Sequence, residues 1–354
     1  MKRSFLFLCL IISLALSACN LPQKVENVPT PTVEIPADAP VEAEAEVEAE
    51  AAPEPTAAPL PAAEKIVIVN SDSAPSANAY LSQAIASLQA EGCDASAVSS
   101  SAELPADADF AVFANVPGDL VSLVEQYPDT QIIVTASEAA EADSVWTILF
   151  DEAYLPFIAG AALELNAYDH RGVGLLPNDS SAWGSRAEEA FTNGGQYVCG
   201  DCRGQLSPYV NFPLVYAQPS ASSPDTWSAQ IDEAQKSFVY TAFLAEESVS
   251  DALLQKLVAS NVLMIGNGAM PAGMENNWLA SINLDFAATI LDIVSQSEAG
   301  TKSGSVGAEL TITPGSLTED FSVGKSDYLE DIYNQLVSGE LSAYDPTAEY
   351  AASE

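Results

Sequence analysis

The residue types with the most distinctive chemistry are few in this chain. There is one histidine, His170, and there are five cysteines. A Ser-His-Asp triad or a histidine-rich metal site would have to use that single imidazole. No Gly-x-Ser-x-Gly nucleophile elbow occurs either. We therefore predict a protein that is not an enzyme and that needs no metal or other cofactor.

Cys199-Gly-Asp-Cys202 has the spacing of local disulfides, redox-active pairs and zinc sites. A redox-active pair normally lies at a helix N-terminus, whereas the glycines on both sides of this pair favour a loop. Zinc needs four ligands, and Cys93 and His170 are the only other soft ones. In an exported chain we expect a structural Cys199–Cys202 disulfide, with a redox or metal role as the alternative. Cys93 is then left unpaired.

Aromatic faces beside amides or carboxylates would suit a polar ring ligand, through stacking and directional hydrogen bonds. Trp183 follows Asn178 and Asp179 in one loop and is the best stacking candidate, with a tryptophan covering a helix start as the alternative. Tyr154 opens a predicted helix and could reach a cleft, although core packing is equally consistent with its position. Glu246 and Glu247 follow a predicted strand, and we expect them to cap the helix that begins near residue 248 rather than to contact a ligand.

The net charge of −39 excludes several partners. Nucleic-acid binding by counterion release needs a basic face, which 11 lysines and arginines can hardly supply against 50 acidic residues. The same balance argues against electrostatic attraction to an anionic membrane.

The N-terminus has the pattern of a processing signal. Lys2 and Arg3 precede an apolar stretch at 4–17, and the run that ends at Cys19 resembles a bacterial lipobox. We predict a lipoprotein signal peptide at 1–18 and a lipid on Cys19, which would anchor the chain to the extracytoplasmic face of a bacterial cell membrane. An ordinary secretory signal with an incidental cysteine is the alternative.

Residues 19–64 are predicted to form a disordered stalk. Nine prolines and ten acidic residues lie between positions 20 and 64, with Glu-Ala repeats in the middle. Proline removes backbone donors and like charges repel, so a packed core is not expected there.

From Lys65 onward, short β-branched or apolar runs alternate with helical patterns. This alternation predicts an α/β fold with mostly parallel sheets, and the length of the body favours two doubly wound lobes. Ligands of such sheets bind beyond the carboxyl ends of the strands. Asn115 and Asn267 each begin a loop at such a position and are therefore candidate ligand contacts.

Several segments, in order, are similar to those of the basic membrane lipoprotein family, whose members are type I periplasmic binding proteins that deliver purine nucleosides to ABC transporters. The resemblance spans roughly residues 65–342, and it is carried by the segments Tyr127–Val134, Phe150–Gly160, Gly172–Gly174, Val262–Asn267 and Gln335–Leu341. Asp72 falls on the aspartate of the family's first loop, where Pro75 replaces an aromatic residue. Asn267 stands where a ribose-binding aspartate is usual.

The resemblance implies two lobes joined by hinge crossovers that close on a ligand. Lobe 1 is expected at 65–170 with a return at 268–305, lobe 2 at 171–267 with a return at 306–345, and a tail at 346–354. The implied function is a solute-binding protein that delivers a nucleoside or a similar polar ring compound to an ABC transporter permease. A sensing ectodomain of the same fold is the alternative.

Overall fold

The computed structural model describes residues 64–179, 182–317 and 319–346. The predicted signal peptide, Cys19 and nearly all of the predicted stalk lie outside these ranges. Within them, no helix has both the length and the apolar character needed to cross a bilayer.

Two six-stranded sheets form the centre of the folded body. The strands of the first sheet, in spatial order, are β11 (Gly304–Gly307), β5 (Val145–Leu149), β4 (Gln131–Ala136), β3 (Phe110–Phe113), β1 (Lys65–Val69) and β2 (Asp94–Val98). All neighbours in this sheet are parallel. Every residue of β3, and all but one residue of β1, is buried, as expected for strands covered on both faces.

The second sheet has the same strand pattern. Its strands, in spatial order, are β12 (Glu309–Pro314), β10 (Trp278–Asp285), β9 (Leu263–Gly266), β8 (Thr241–Leu244), β6 (Gly172–Pro177) and β7 (Leu214–Gln218). All of these pairs are parallel except β10 with β12. The predicted α/β fold with two doubly wound, mostly parallel sheets is confirmed.

Eight α-helices connect and cover the strands of the described ranges. They are α1 (Pro75–Ala90), α2 (Leu120–Gln126), α3 (Tyr154–Asn166), α4 (Ala187–Cys199), α5 (Pro224–Gln235), α6 (Asp251–Ala259), α7 (Phe286–Glu298) and α8 (Val323–Ser338). Right-handed crossovers between parallel strands require such helices on both faces of each sheet.

The chain crosses between the lobes three times. Helix α3 leads from β5 to β6, helix α7 leads from β10 back to β11, and Ala308 alone separates β11 from β12. Three crossings therefore join the two sheets.

The lobe boundaries differ from the expected ones. We placed residues 268–305 in lobe 1, but β10 pairs with β9 and β12 in the second sheet, so the return begins at Phe286. Helix α3 was also assigned to lobe 1, although it packs closely on α4, which follows the first strand of lobe 2. The alternation of strands and helices does not record which sheet a strand joins, because that depends on hydrogen bonds to distant strands.

Candidate functional site

The carboxyl ends of the first-sheet strands border one cavity of the cleft. This first cavity has a volume of about 260 Å³, and its lining includes Ser73, Ser76, Asn115, Thr135, Phe150, Asp151 and Glu152. The Nδ2 of Asn115 donates to Ser73 Oγ at 3.2 Å, and Ser76 Oγ donates to Glu152 Oε2 at 2.9 Å. The loops after β1, β3, β4 and β5 thus place a set of hydroxyl, amide and carboxylate groups at one edge of the sheet.

A second cavity lies between the lobes. Its volume is also about 260 Å³. Helix α1 of lobe 1 contributes Tyr80, Gln83 and Ser87, and the opposite wall includes Glu246, Glu247, Asn267, Asn283 and Asp285. The Oδ1 of Asn267 accepts a hydrogen bond from the backbone N–H of Glu246 at 2.7 Å, which ties together the loops after β8 and β9.

An aromatic cluster borders both cavities. Tyr80 stacks on Phe286 with ring centroids 5.3 Å apart, and Phe150 meets both rings edge-on at 5.4 and 5.3 Å. Phe150 lines the first cavity, whereas Tyr80 and Phe286 line the second. The three side chains are 7%, 8% and 2% exposed, respectively, in the order Tyr80, Phe150 and Phe286, so the rings pack mainly against one another and form the apolar edge of both cavities.

The electrostatics of the cleft are negative. The lining residues of the two cavities include no lysine or arginine. They include five carboxylates: Asp151, Glu152, Glu246, Glu247 and Asp285. Burial, and secondarily the charge of Glu247, raises the pKa of the Tyr80 hydroxyl, so this hydroxyl keeps its proton. Such a lining favours ligands that donate hydrogen bonds and disfavours anions.

Three buried polar atoms near the carboxyl ends of the strands have no hydrogen-bond partner among the described residues. They are Asn70 Oδ1 at the end of β1, Thr135 Oγ1 in the first cavity and Glu247 Oε2 in the second. Buried polar atoms are normally paired, because an unpaired one costs about 1–3 kcal/mol. Thr135 and Glu247 are therefore lining residues with hydrogen-bonding capacity that no described residue fills.

The two lobes touch where Gly184 meets Glu152. Gly184 has a φ of 72°, and a Cβ at this position would lie 2.5 Å from Glu152 Cδ. Only glycine combines this backbone conformation with such a close approach. The loop after β6 therefore covers the carboxylate of lobe 1 that also accepts the hydrogen bond from Ser76.

The structure places the predicted site residues in three different settings. Asn115 and Asn267 line the first and second cavity, respectively. Asp72, Asn178 and Asp179 are exposed on strand-end loops and line neither cavity. Asp179 Oδ1 accepts a hydrogen bond from the Ser220 backbone N–H at 2.5 Å, so this oxygen atom holds two loops together.

Trp183 and Tyr154 are core residues. Trp183 is 1% exposed and packs edge-on against Phe243 at 5.7 Å, so its ring faces offer no free stacking surface. Tyr154 is 7% exposed and meets Tyr333 at 6.0 Å. Apolar burial dominates for large aromatic rings, and the sequence pattern does not distinguish a ring beside a cleft from one beneath it.

Glu246 and Glu247 do not cap a helix. Helix α6 begins at Asp251, and its cap is Ser250, whose Oγ accepts from the Leu253 backbone N–H. The two glutamates instead form a short turn directly after β8 and line the second cavity. Their position after a buried strand was the signal that could have identified them as cleft residues.

Cys199 and Cys202 form a disulfide. The expected loop is wrong for Cys199, because helix α4 continues through Gly194 and Gly195 and ends at this residue. The glycines do not break the helix because they lie against another element: a Cβ on Gly194 would be 1.9 Å from the carbonyl oxygen of Phe157 in α3.

No protein-family model matches the chain, and no curated protein matches it. Among solved structures, a solute-binding protein of an ABC transporter system from Conexibacter woesei DSM 14684 is 17% identical with a TM-score of 0.48, and the match covers 79% of this chain and 98% of that protein. A solute-binding protein of an ABC transporter system from Aeropyrum pernix K1 is 13% identical with a TM-score of 0.44, covering 80% and 93%. A LacI family transcriptional regulator from Enterococcus faecium, with bound ribose, is 14% identical with a TM-score of 0.38, covering 71% and 98%. The strand order of the two sheets carries the fold assignment.

Proposed function

We propose that this protein is a solute-binding protein, not an enzyme, that captures a small polar ligand between its two lobes. The observation that carries the proposal is the cleft itself: polar loops at the carboxyl ends of the strands of both lobes face each other across three chain crossings. An open form would bind the ligand on one lobe, and hinge closure would bury it against the other.

The proposed ligand is a nucleoside or a similar polar ring compound. Sugar hydroxyls pair well with carboxylates and amides, and the cavities supply Glu152, Glu247, Asn115 and Asn267. The edges of Tyr80, Phe150 and Phe286 that line the two cavities supply apolar contact to the ligand. A phosphate or dicarboxylate would want a guanidinium group, which the lining of both cavities does not offer. The segments similar to the basic membrane lipoprotein family support the same ligand class.

We further propose that the protein is lipid-anchored through Cys19 at the extracytoplasmic face of a bacterial membrane and delivers its ligand to an ABC transporter permease. Both proposals rest on the sequence pattern at residues 1–64 and on the resemblance. Replacement of Cys19 by Ala should release the protein from membranes, because the anchoring acyl chains would be attached there. If the variant stays in the membrane fraction after a high-salt wash, the anchor assignment is wrong.

Ligand-dependent melting of the purified protein tests the binding function, because any ligand of the folded state raises its melting temperature by mass action. The panel comprises nucleosides, sugars, amino acids and organic phosphates. Nucleosides are expected to raise the melting temperature of the wild type. If amino acids or organic phosphates do so while nucleosides and sugars do not, the ligand class is wrong.

A matched pair of amide variants locates the site. Asn267→Ala removes an amide from the second cavity, whereas Asn178→Ala removes an exposed amide outside both cavities. Loss of one buried hydrogen bond to the ligand should weaken binding by about 1–3 kcal/mol in the first variant only. Equal affinities for the two variants would place the ligand elsewhere.

The second candidate is a sensing ectodomain of the same fold that works without a transporter. The same cleft would then report ligand binding to a partner protein. Deletion of a neighbouring permease gene separates the two, since uptake of the ligand fails only if the protein feeds that transporter.

A further inference from the structure

A second group of chemically reactive side chains lies at the opposite end of the second sheet from the cleft. Glu164, near the end of α3, and His170, just before β6, face Cys199 at the C-terminus of α4. One ligating atom from each of these residues lies within 4.8 Å of the other two. The cluster is therefore separate from both cavities of the proposed ligand site.

The carboxyl group of Glu164 is buried and incompletely hydrogen-bonded. Glu164 is 3% exposed, and every residue of α3 that precedes it is buried. Its Oε1 has no hydrogen-bond partner among the described residues. Its Oε2 lies 3.7 Å from His170 Nδ1 and 3.9 Å from Cys199 Sγ. A buried, unpaired carboxyl group of this kind is costly unless something binds it.

His170 completes the group from the solvent side. Its side chain is 42% exposed, whereas its Nδ1 is buried and also lacks a hydrogen-bond partner among the described residues. The ring therefore directs a free ligating nitrogen inward and is itself open to the surface. This arrangement offers an entry path for an ion.

The two sulfur atoms lie at the negative end of a helix. Cys199 Sγ and Cys202 Sγ lie 3.0 and 3.5 Å from the carbonyl oxygen of Gly195 in the last turn of α4. The C-terminus of a helix stabilises a cation and destabilises an isolated thiolate. This location argues against a redox-active dithiol and favours thiolates whose charge is balanced by a metal ion.

We propose that reduction of the Cys199–Cys202 disulfide creates a Zn²⁺ site with Cys199, Cys202, His170 and Glu164 as its four ligands. A dithiol reductant breaks the S–S bond, supplies two electrons and is itself oxidised to a disulfide. The two thiols formed on the protein and the Glu164 carboxyl group each release a proton to solvent when Zn²⁺ binds, so that two thiolates and one carboxylate bind the metal with the neutral His170 imidazole. In the oxidised protein the sulfurs are bonded to each other and are not thiolate ligands.

The geometry needs two adjustments. Tetrahedral zinc holds sulfur at about 2.3 Å and nitrogen or oxygen at about 2.0–2.2 Å, so that ligating atoms lie roughly 3.5 Å apart. The separations of up to 4.8 Å among Glu164, His170 and Cys199 must shrink by about 1 Å, which rotation of the half-exposed His170 ring can supply. Cys202 Sγ is bonded to Cys199 Sγ in the oxidised protein, so after reduction the two sulfurs must separate to roughly 3.5 Å by rotation of their side chains.

Zinc titration of the full-length chain, oxidised and reduced, tests the proposal. Dithiothreitol reduces the protein and is removed by anaerobic gel filtration, and a chromogenic zinc chelator then reports competition for the metal. Reduced protein is expected to bind one equivalent of Zn²⁺ more than oxidised protein. Co²⁺ in place of Zn²⁺ should give thiolate-to-metal charge-transfer absorption.

Four variants identify the ligands. Cys199→Ser with Cys202→Ser should remove the additional equivalent, and Cys93→Ser should keep it, which excludes a contribution from the Cys93 thiol. His170→Ala and Glu164→Gln should each weaken binding by at least about 10-fold, the loss seen even for groups that only orient zinc ligands.

Several results would overturn the proposal. These are equal zinc binding by the oxidised and reduced chains, retention of the additional equivalent in the double serine variant, or wild-type affinity in both His170→Ala and Glu164→Gln. Loss of the circular dichroism spectrum on reduction that zinc does not restore would also overturn it. None of these outcomes depends on the ligand of the cleft, so the proposed transport function is tested separately.

Discussion

The close crossing of α3 and α4 leads to a sharp prediction about stability. Gly160 and Gly194 face each other's helices: a Cβ on Gly160 would lie 1.9 Å from the carbonyl oxygen of Phe191, and a Cβ on Gly194 would lie 1.9 Å from that of Phe157. We predict that Gly194→Ala destabilises the protein, although alanine is the better helix former by about 1 kcal/mol.

The magnitude follows from the distance. Ordinary van der Waals contact begins near 3.4 Å, so the two backbones would have to separate by about 1.5 Å. Overpacking of a rigid core typically costs about 1–3 kcal/mol, and a backbone oxygen cannot rotate away as a side chain can. The upper end of this range, about 3 kcal/mol, less the gain of about 1 kcal/mol in helix propensity leaves a net loss of about 2 kcal/mol and a melting temperature lower by roughly 4–8 °C.

Gly324→Ala is the matched control. Gly324 lies in α8, its φ is not positive, and a Cβ there would have no atom within 4 Å. This variant should be stabilised by about 0.4–1 kcal/mol, because alanine restricts the unfolded chain. Thermal unfolding of both variants by circular dichroism measures the contrast. A Gly194→Ala variant as stable as Gly324→Ala would refute the packing argument.

Three further predictions concern buried side chains. Trp183→Ala should lower the free energy of unfolding, measured in urea, by about 3–5 kcal/mol, because it leaves a cavity in the core. If the variant is as stable as the wild type but binds the ligand poorly, Trp183 contacts the ligand after all. Arg171 is 1% exposed and donates hydrogen bonds to Asp169 at 3.0 Å and to the carbonyl oxygens of Ser237 and Leu206. Arg171→Met should therefore lower the free energy of unfolding by about 3–5 kcal/mol, because it leaves these buried acceptors without their donor. A decrease below about 1 kcal/mol would contradict the importance of these hydrogen bonds. Burial raises the pKa of Glu164 to about 9 from 4.5, so between these values the unfolded chain has lost a proton that the folded chain retains. The free energy of unfolding of the oxidised, chelator-treated protein should therefore fall by about 1.4 kcal/mol for each pH unit in this window. This decrease should be absent in Glu164→Gln. If the free energy of unfolding depends on pH in the same way in both proteins, Glu164 is ionised in the folded state.

Much of the architecture was predictable from local pattern. Short buried runs such as Ile66–Val69 and Phe110–Phe113 alternate with helical segments, and both are strands of the first sheet. Because the carboxyl ends of parallel strands meet at one edge, the same pattern also predicted that the loops at Asn115 and Asn267 would border the cleft. These inferences need only periodicity and the handedness of crossovers.

The membership of the two sheets was not predictable in the same way. Strand β2 has a mostly exposed sequence, and β11 and β12 are divided between the sheets although one residue separates them. Strand pairing depends on hydrogen bonds between strands that are distant in sequence. The lobe boundary at Phe286 is therefore a property of the assembled sheets.

Local sequence patterns were enough to predict the α/β class, the two doubly wound sheets and the edge at which polar loops gather. Tertiary structure alone decided which side chains face that edge. Trp183 lies beneath the surface and Glu247 lies at the cavity, although we expected Trp183 to stack on a ligand and Glu247 to cap a helix. Only packing brought Glu164, His170 and Cys199 together from three separate elements. The physical reason is that the orientation of a side chain depends on what covers the opposite face of its element, and that partner is distant in sequence.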